Sequence, residues 1–392
     1  MTDNYDVVVI GAGAAGMMCA GVAGQRGRRV LVIDHAEALA EKIRISGGGR
    51  CNFTNLQAGP ANYHSTNPHF CRSALSRYTP QDFLGLMQRH GIRWNEKHKG
   101  QLFCDNSAQD IIDMLVAECN AGNVAWRRPC KVESLRREAT CWQLATSTGA
   151  VTAESVVIAT GGLSIPKIGA TDFGHRIARQ FDIPVIAPRP GLVPLTFDAD
   201  SAPFAELAGI ALEVELSCND GFFREDLLIT HRGLSGPAIL QISSYWTPGD
   251  ALRINLLPEL KVEDELLAAK QGARQHVVSV VAQWLPRRMT ELLVERAGLA
   301  GRPIAEASDK ALRLLAASIN RWELTPSGSE GYRKAEVTLG GVDTRALDQK
   351  TMMARSQPGL HFVGEVMDVT GWLGGYNFQW AWASGYAAGM AV

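Results

Sequence analysis

The sequence predicts an α/β fold around a buried parallel sheet, and three observations predict it. A short apolar strand is followed at once by glycines in G-x-G-x-x-G spacing and then by a second strand ending in an acid. Two more short apolar runs, Val156–Ile158 and Leu360–Val363, return far down the chain and lead into glycines. The 392 residues are 46% hydrophobic and 20% charged, a globular composition long enough for two or three domains.

The first unit is read from YDVVVIGAGAAGMMCAGVAGQRGRRVLVID. Val7–Ile10 is an apolar run of the length expected for a buried parallel strand. Gly11, Gly13 and Gly16 follow, and the small residues from Ala14 to Arg26 predict a helix lying close on the sheet, stopped at Gly27. Arg29–Ile33 predicts the second strand and Asp34 ends it. Glycines of this kind permit a tight turn and close approach to a pyrophosphate, which faces the helix N-terminus at Gly13, Ala14, Ala15 and Gly16. Asp34 is placed to accept from a ribose. Strand, glycines, helix, strand and acid in order are the context the fingerprint requires.

The next stretch, EKIRISGGGRCNFTN, distinguishes FAD from a nicotinamide. Gly47, Gly48 and Gly49 let backbone N–H groups approach a ligand, and Lys42, Arg44 and Arg50 surround them with positive charge. A nicotinamide dehydrogenase needs no second loop of this kind, whereas extended FAD does, so Lys42, the three glycines, Arg50 and Cys51 are predicted cofactor contacts. Val156–Ile158 then leads into Thr160, Gly161 and Gly162, a further approach to the cofactor. No second complete fingerprint follows, so any NAD(P)H docks transiently.

The last 24 residues carry no charge. Gly371, Gly374 and Gly375 precede a helix predicted from about Tyr376, of which 377–392 would span about 24 Å, short of a ~30 Å hydrocarbon core and without flanking Lys or Arg. A buried helix is predicted, its N-terminus facing the flavin pyrimidine edge. Gly364, Glu365, Gly374, Gly375, Tyr376 and Asn377 are predicted cofactor neighbours.

Bulk properties exclude little else. A net charge of −1 gives no global field for nucleic acid or membrane and leaves local patches open. Eight cysteines form no CxxC pair and no zinc spacing, so reduced thiols, no metal and a cytoplasmic location are expected. MTDNYD shows no signal peptide.

GAGAAGM, SGGGRCNFTN, THRGLSGPA, AEVTLGGV and GEVMDVTGWLGGYNFQWAWASG together resemble the BaiN/RdsA-type, YhiN-like family of NAD(P)/FAD-dependent flavoproteins over essentially the whole chain. The resemblance is greatest to its proteobacterial branch, which includes ribosomal RNA dihydrouridine synthases; another branch includes reductases of unsaturated bile-acid ketones. It implies a Rossmann-like FAD-binding domain (1–188 and 345–392) with an inserted β-rich domain (189–255 and 320–344) and a small helical subdomain (256–319). The residues agree: LEVELS and LRINLL alternate, while VEDELLAAKQGARQHVVSVVAQWL and KALRLLAASINRW repeat apolar positions every three or four residues.

The implied chemistry is reduction of a C=C conjugated to a carbonyl, most simply uridine to dihydrouridine in large-subunit ribosomal RNA. Alternatives are a small-molecule flavin enzyme acting on an enone or an aminoacetone-like amine, and a noncatalytic flavin-bound RNA-binding protein. Proton-donor candidates are Cys51, in the glycine loop beside Arg50, and His231, before a Gly-Leu-Ser-Gly-Pro turn. Their alternative roles are a buried thiol and a loop histidine. Glu365 is expected to meet ribityl or ribose hydroxyls. For RNA, the first third is rich in cations: Lys42, Arg44, Arg50, Arg72, Arg77, Arg89, Arg93, Lys97, Lys99, Arg127 and Arg128, with Tyr63, His64, Phe70 and Trp94 as candidate base-stacking partners.

Overall fold

Alternating apolar strands and small-residue helices assemble into the parallel sheet that the sequence predicts. The computed structural model describes residues 3–198, 206–271 and 274–392. Its contacts divide the chain into two compact units, Met1–Pro190 with Glu336–Val392, and Gly191–Ala335.

In the first unit the parallel strands lie in the order Ala125–Arg127, Val30–Ile33, Asp3–Ile10, Gly149–Ile158, Leu360–Phe362. Register places Val8 between Leu31 and Val156, and Val156 beside Leu360. Val7, Val8 and Val9 have no exposed surface, as expected where both faces of a parallel sheet are covered. The first half of Gly149–Ile158 pairs antiparallel with Cys141–Thr146, which pairs with Val132–Glu138. This meander widens the sheet at the edge where charged residues alternate with apolar ones.

Helix Ala14–Gln25 covers one face and is crossed by the C-terminal helix Tyr376–Gly389. Their approach depends on glycine: a Cβ on Gly385 would lie 2.5 Å from Ala15 O, and one on Gly389 would lie 2.8 Å from Cys19 O. Trp380 and Trp382 are 1% and 0% exposed, each worth roughly 4–6 kcal/mol of gross burial. Their indole N–H groups donate to Gly364 O at 3.2 Å and Phe53 O at 2.8 Å. Gln379, fully buried, accepts from Thr54 Oγ1 at 2.6 Å and donates to Tyr78 O at 2.8 Å. The uncharged terminal segment is therefore a core helix. Among the described residues no helix is long and apolar enough to cross a membrane.

The second unit has a seven-stranded sheet, with Ala211–Cys218 and Gly221–Thr230 at its centre. Helices Val262–Lys270, Val277–Val281, Arg287–Arg296 and Asp309–Asn320 belong to the same unit. Asn320 ties them to the sheet by donating to Asn255 Oδ1, Leu257 O and Leu260 O. Residues 272–273, inside the expected helical stretch, lie outside the described residues. Strand Val337–Val342, expected in the insertion, instead pairs with Val185–Gly191 and belongs to the first unit. All six of its residues are buried, and Gly340 passes so close to Ala187 that a Cβ would lie 2.7 Å from its carbonyl oxygen.

Candidate functional site

The glycine turn after Ile10 shows why each glycine is there. Gly11 adopts φ +110°, and a Cβ would lie 2.4 Å from Ala159 O; on Gly16 it would lie 1.9 Å from Gly11 O. Those two close the turn against the sheet. Gly13 differs, because a Cβ there would meet nothing within 4 Å and its φ of −86° suits any residue. The space beside Gly13 lies at the start of helix Ala14–Gln25, which has no side-chain cap and no acid in its first turn. Unpaired N–H groups and the positive end of the helix dipole thus converge on an open cradle, an anion site.

Asp34 closes the other side. Its Oδ2 accepts from Ala12 N at 2.6 Å and its Oδ1 from Ala36 N at 2.8 Å. Each carboxylate oxygen keeps a lone pair for a ribose hydroxyl.

The triglycine loop forms one tight turn. Gly47, Gly48 and Gly49 all have positive φ; Gly48 and Gly49 have open space at Cβ, while Gly47 lies against the Phe103 ring. Gly47, Gly48 and Arg50 are exposed. Gly161 repeats the pattern, left-handed and open, whereas Gly162 is shut in by Thr338 Oγ1 and Glu365 Oε1.

Beside these loops lies a polar cluster with no local sequence signal. Lys42 Nζ donates to Ser164 Oγ at 2.7 Å and forms an ion pair with Glu365. Glu365 Oε1 accepts from Thr338 N at 2.9 Å, and Thr338 Oγ1 accepts from Leu163 N at 2.8 Å. Four segments are joined through one charge pair whose members are 323 residues apart. Lys42 and Glu365, predicted as separate cofactor contacts, contact each other.

Several predicted contacts are buried or bonded within the protein. Cys51 has no exposed surface; its thiol lies in the core and burial pushes its pKa upward. The Tyr376 ring is 5% exposed, edge-on to Tyr63 at 6.3 Å. Asn377 accepts from Gly371 N and donates to Gly371 O, both at 2.8 Å, so its amide closes its own loop. Gly364 is buried, its N–H donating to Ser384 Oγ at 3.0 Å and its carbonyl accepting from Trp380. Gly374 is also buried, and its carbonyl accepts from Asn55 Nδ2. Thr160 turns its hydroxyl inward, where it meets no partner among the described residues. Ala15 and Gly16 are buried under the turn they shape. Gly375, half-buried with φ +95°, precedes the C-terminal helix, which likewise lacks a side-chain cap. His231 is exposed, between strands Gly221–Thr230 and Gly233–Ser235 of the second unit.

The predicted stacking set also changes. Tyr63 and Phe70 are 7% and 3% exposed and belong to the core, and burial lowers the pKa of His64 to about 4. Arg44 is bonded to Glu41 and Gln109, Arg127 to Asp3 and Arg128 to Glu37 O.

The family profile described as HI0933-like protein Rossmann domain matches residues 5–391. The chain belongs to the HI0933-like family. It is 50% identical to a ribosomal RNA dihydrouridine synthase of Escherichia coli (strain K12), covering 98% of this chain and 97% of the relative. It is 45% identical to the ribosomal RNA dihydrouridine synthase of Haemophilus influenzae, covering 100% of this chain and 99% of that one. A 3-dehydro-bile acid delta(4,6)-reductase of Clostridium scindens is 27% identical, with 98% of each chain covered. The Rossmann sheet described above agrees with the family description.

Proposed function

We propose that this HI0933-like chain is an FAD-dependent oxidoreductase that reduces uridine to dihydrouridine in large-subunit ribosomal RNA. The observation that carries this reading is 50% identity, over nearly its whole length, to a protein named for that reaction. The cradle fits the cofactor: an open, uncapped helix start at Gly13 for the pyrophosphate, Asp34 for the ribose, and the open loops at Gly48, Gly49 and Gly161 for the rest. Held there, FAD would supply hydride chemistry for C6 of the uracil.

The chain has three tasks. It holds the base in register with the hydride donor. It stabilises negative charge developing on the conjugated carbonyl oxygen. It delivers a proton to C5. Cys51 and His231 are the two donors that the sequence offers for this step. The uncapped start of helix Tyr376–Gly389 is assigned to the flavin pyrimidine edge, where reduction places negative charge. NAD(P)H is the proposed electron donor, docking transiently, since the chain carries one dinucleotide fingerprint.

The likeness to a bile-acid reductase favours a second reading with the same bond chemistry on a small enone. Mapping dihydrouridine in ribosomal RNA from a deletion strain separates the two. Loss of one site, restored by the wild-type gene, supports the RNA substrate; persistence of every site rejects it.

A further inference from the structure

Among the cations predicted for RNA, the structure singles out one group by where it stands. Strands Trp94–Glu96 and Gln101–Cys104 form a hairpin whose tip is Lys97, His98, Lys99 and Gly100. Gln101 N donates to His98 O at 3.0 Å, and both residues between them are left-handed, Lys99 at φ +48° and Gly100 at φ +77°. Glycine suits that conformation; lysine adopts it at a cost of roughly 1 kcal/mol. Asparagine would make the same turn more readily. A lysine is held at the apex instead.

The tip is fixed beside the triglycine loop. Lys97 Nζ lies over the Phe103 ring, 4.0 Å from its centroid. The same ring meets Gly47, where a Cβ would come within 2.8 Å. Lys97, His98, Lys99, Arg93 and Arg50 are all exposed. Glu96 accepts from Gly100 N at 3.0 Å and Asp105 from Asn95 Nδ2 at 2.8 Å, bonds that hold the hairpin's shape.

We propose that this hairpin tip, Lys97 and Lys99 with Arg93 and Arg50 along its base, is the phosphate-binding rim that guides an RNA strand to the triglycine loop. The inference rests on the RNA-substrate reading and names the surface that serves it. Two features of the tip suit a phosphate backbone better than a base. Its two lysines are flexible point charges, and the Phe103 ring is 7% exposed and covered by Lys97, so that ring offers no face for stacking. The rim therefore supplies salt-dependent, sequence-independent affinity.

The test is the double variant Lys97→Met, Lys99→Asn. Methionine keeps an apolar stem over Phe103 and asparagine favours the left-handed turn, so the fold is retained while two charges are lost. Flavin content and melting temperature control for folding, and the paired variant Arg253→Gln, Arg313→Gln in the second unit controls for net charge. Binding of a fluorescent fragment of large-subunit ribosomal RNA is measured against salt. The slope of log affinity on log salt should fall by about 1.5 in the tip variant, with roughly tenfold weaker binding at low salt, and should hold in the control. Wild-type slope and affinity in the tip variant overturn the rim, even where dihydrouridine is still made. A wild-type protein that neither binds nor modifies RNA overturns the RNA reading and the rim together.

Discussion

Gly13→Asp separates the cradle's ligand from the cradle's fold. Nothing lies within 4 Å of the position its Cβ would take, and φ is −86°, so the substitution strains nothing. Aspartate is a better N-cap than glycine by a few tenths of a kcal/mol, so the cofactor-free protein should melt at or slightly above the wild-type temperature. Binding changes in the opposite direction. A carboxylate about 4 Å from a phosphate charge costs about 4 kcal/mol at an effective dielectric near 20, a loss of about 10³-fold in FAD affinity. The assay is titration of the deflavinated protein with FAD, read by flavin fluorescence, beside a thermal melt without FAD. Gly13→Ala, which adds a methyl but no charge, should fall between. FAD binding by the aspartate variant within threefold of wild type would refute the assignment of this helix start to the pyrophosphate.

Four other outcomes follow from the same geometry. Gly385→Val drives its Cβ to 2.5 Å from Ala15 O and should lower stability by about 1–3 kcal/mol, seen as a melting temperature several degrees lower. Brief alkylation of the native protein should label Cys141, half-buried, ahead of the seven buried cysteines, and Cys51→Ala should keep its activity; a folded but inactive Cys51→Ala would identify that thiol as the proton donor. Asp34→Ala removes the acceptor for Ala12 N and Ala36 N and should weaken FAD binding at least tenfold, measured by the same titration. His361 is 3% exposed and bonded through Nδ1 to Thr351 O, and burial lowers its pKa to about 4. The unfolded state therefore takes up the proton first as pH falls through about 6.5, so stability present above that pH should decline by about 3 kcal/mol by pH 4. Denaturant melts at pH 7 and pH 4.5 check this, and His361→Gln should flatten the difference.

What could be read from the sequence was local. Gly11, Gly13 and Gly16 are legible because a glycine turn between strand and helix is specified within a few residues, and the structure adds that Gly13 is the open one. The C-terminal helix is legible because an uncharged segment too short to span a bilayer has the core as its natural place. What could not be read depends on partners distant in sequence or on side-chain direction. Lys42 and Glu365 are far apart in the chain, and neither position announces the other. Asn377 looks like a ligand contact, but its amide is used six residues back, at Gly371. Cys51 adjoins an exposed arginine, yet its left-handed backbone, φ +48°, accompanies full burial. Tyr63 and Phe70 look like stacking platforms because aromatic residues in a basic stretch carry no sign of which way they face. The unit of strand Val337–Val342 is not legible, because its apolar residues suit either sheet and only its pairing with Val185–Gly191 decides.

The proposed reaction adds two hydrogens to a uridine of ribosomal RNA with flavin as its agent. The direct measurement combines purified protein, FAD, NADPH and protein-free large-subunit ribosomal RNA from a deletion strain, followed by nuclease digestion and mass spectrometry. One uridine heavier by about two mass units is expected, absent when Gly13→Asp replaces the wild type. A flavin-loaded protein that is reduced, binds the RNA and leaves every uridine at its original mass would contradict it.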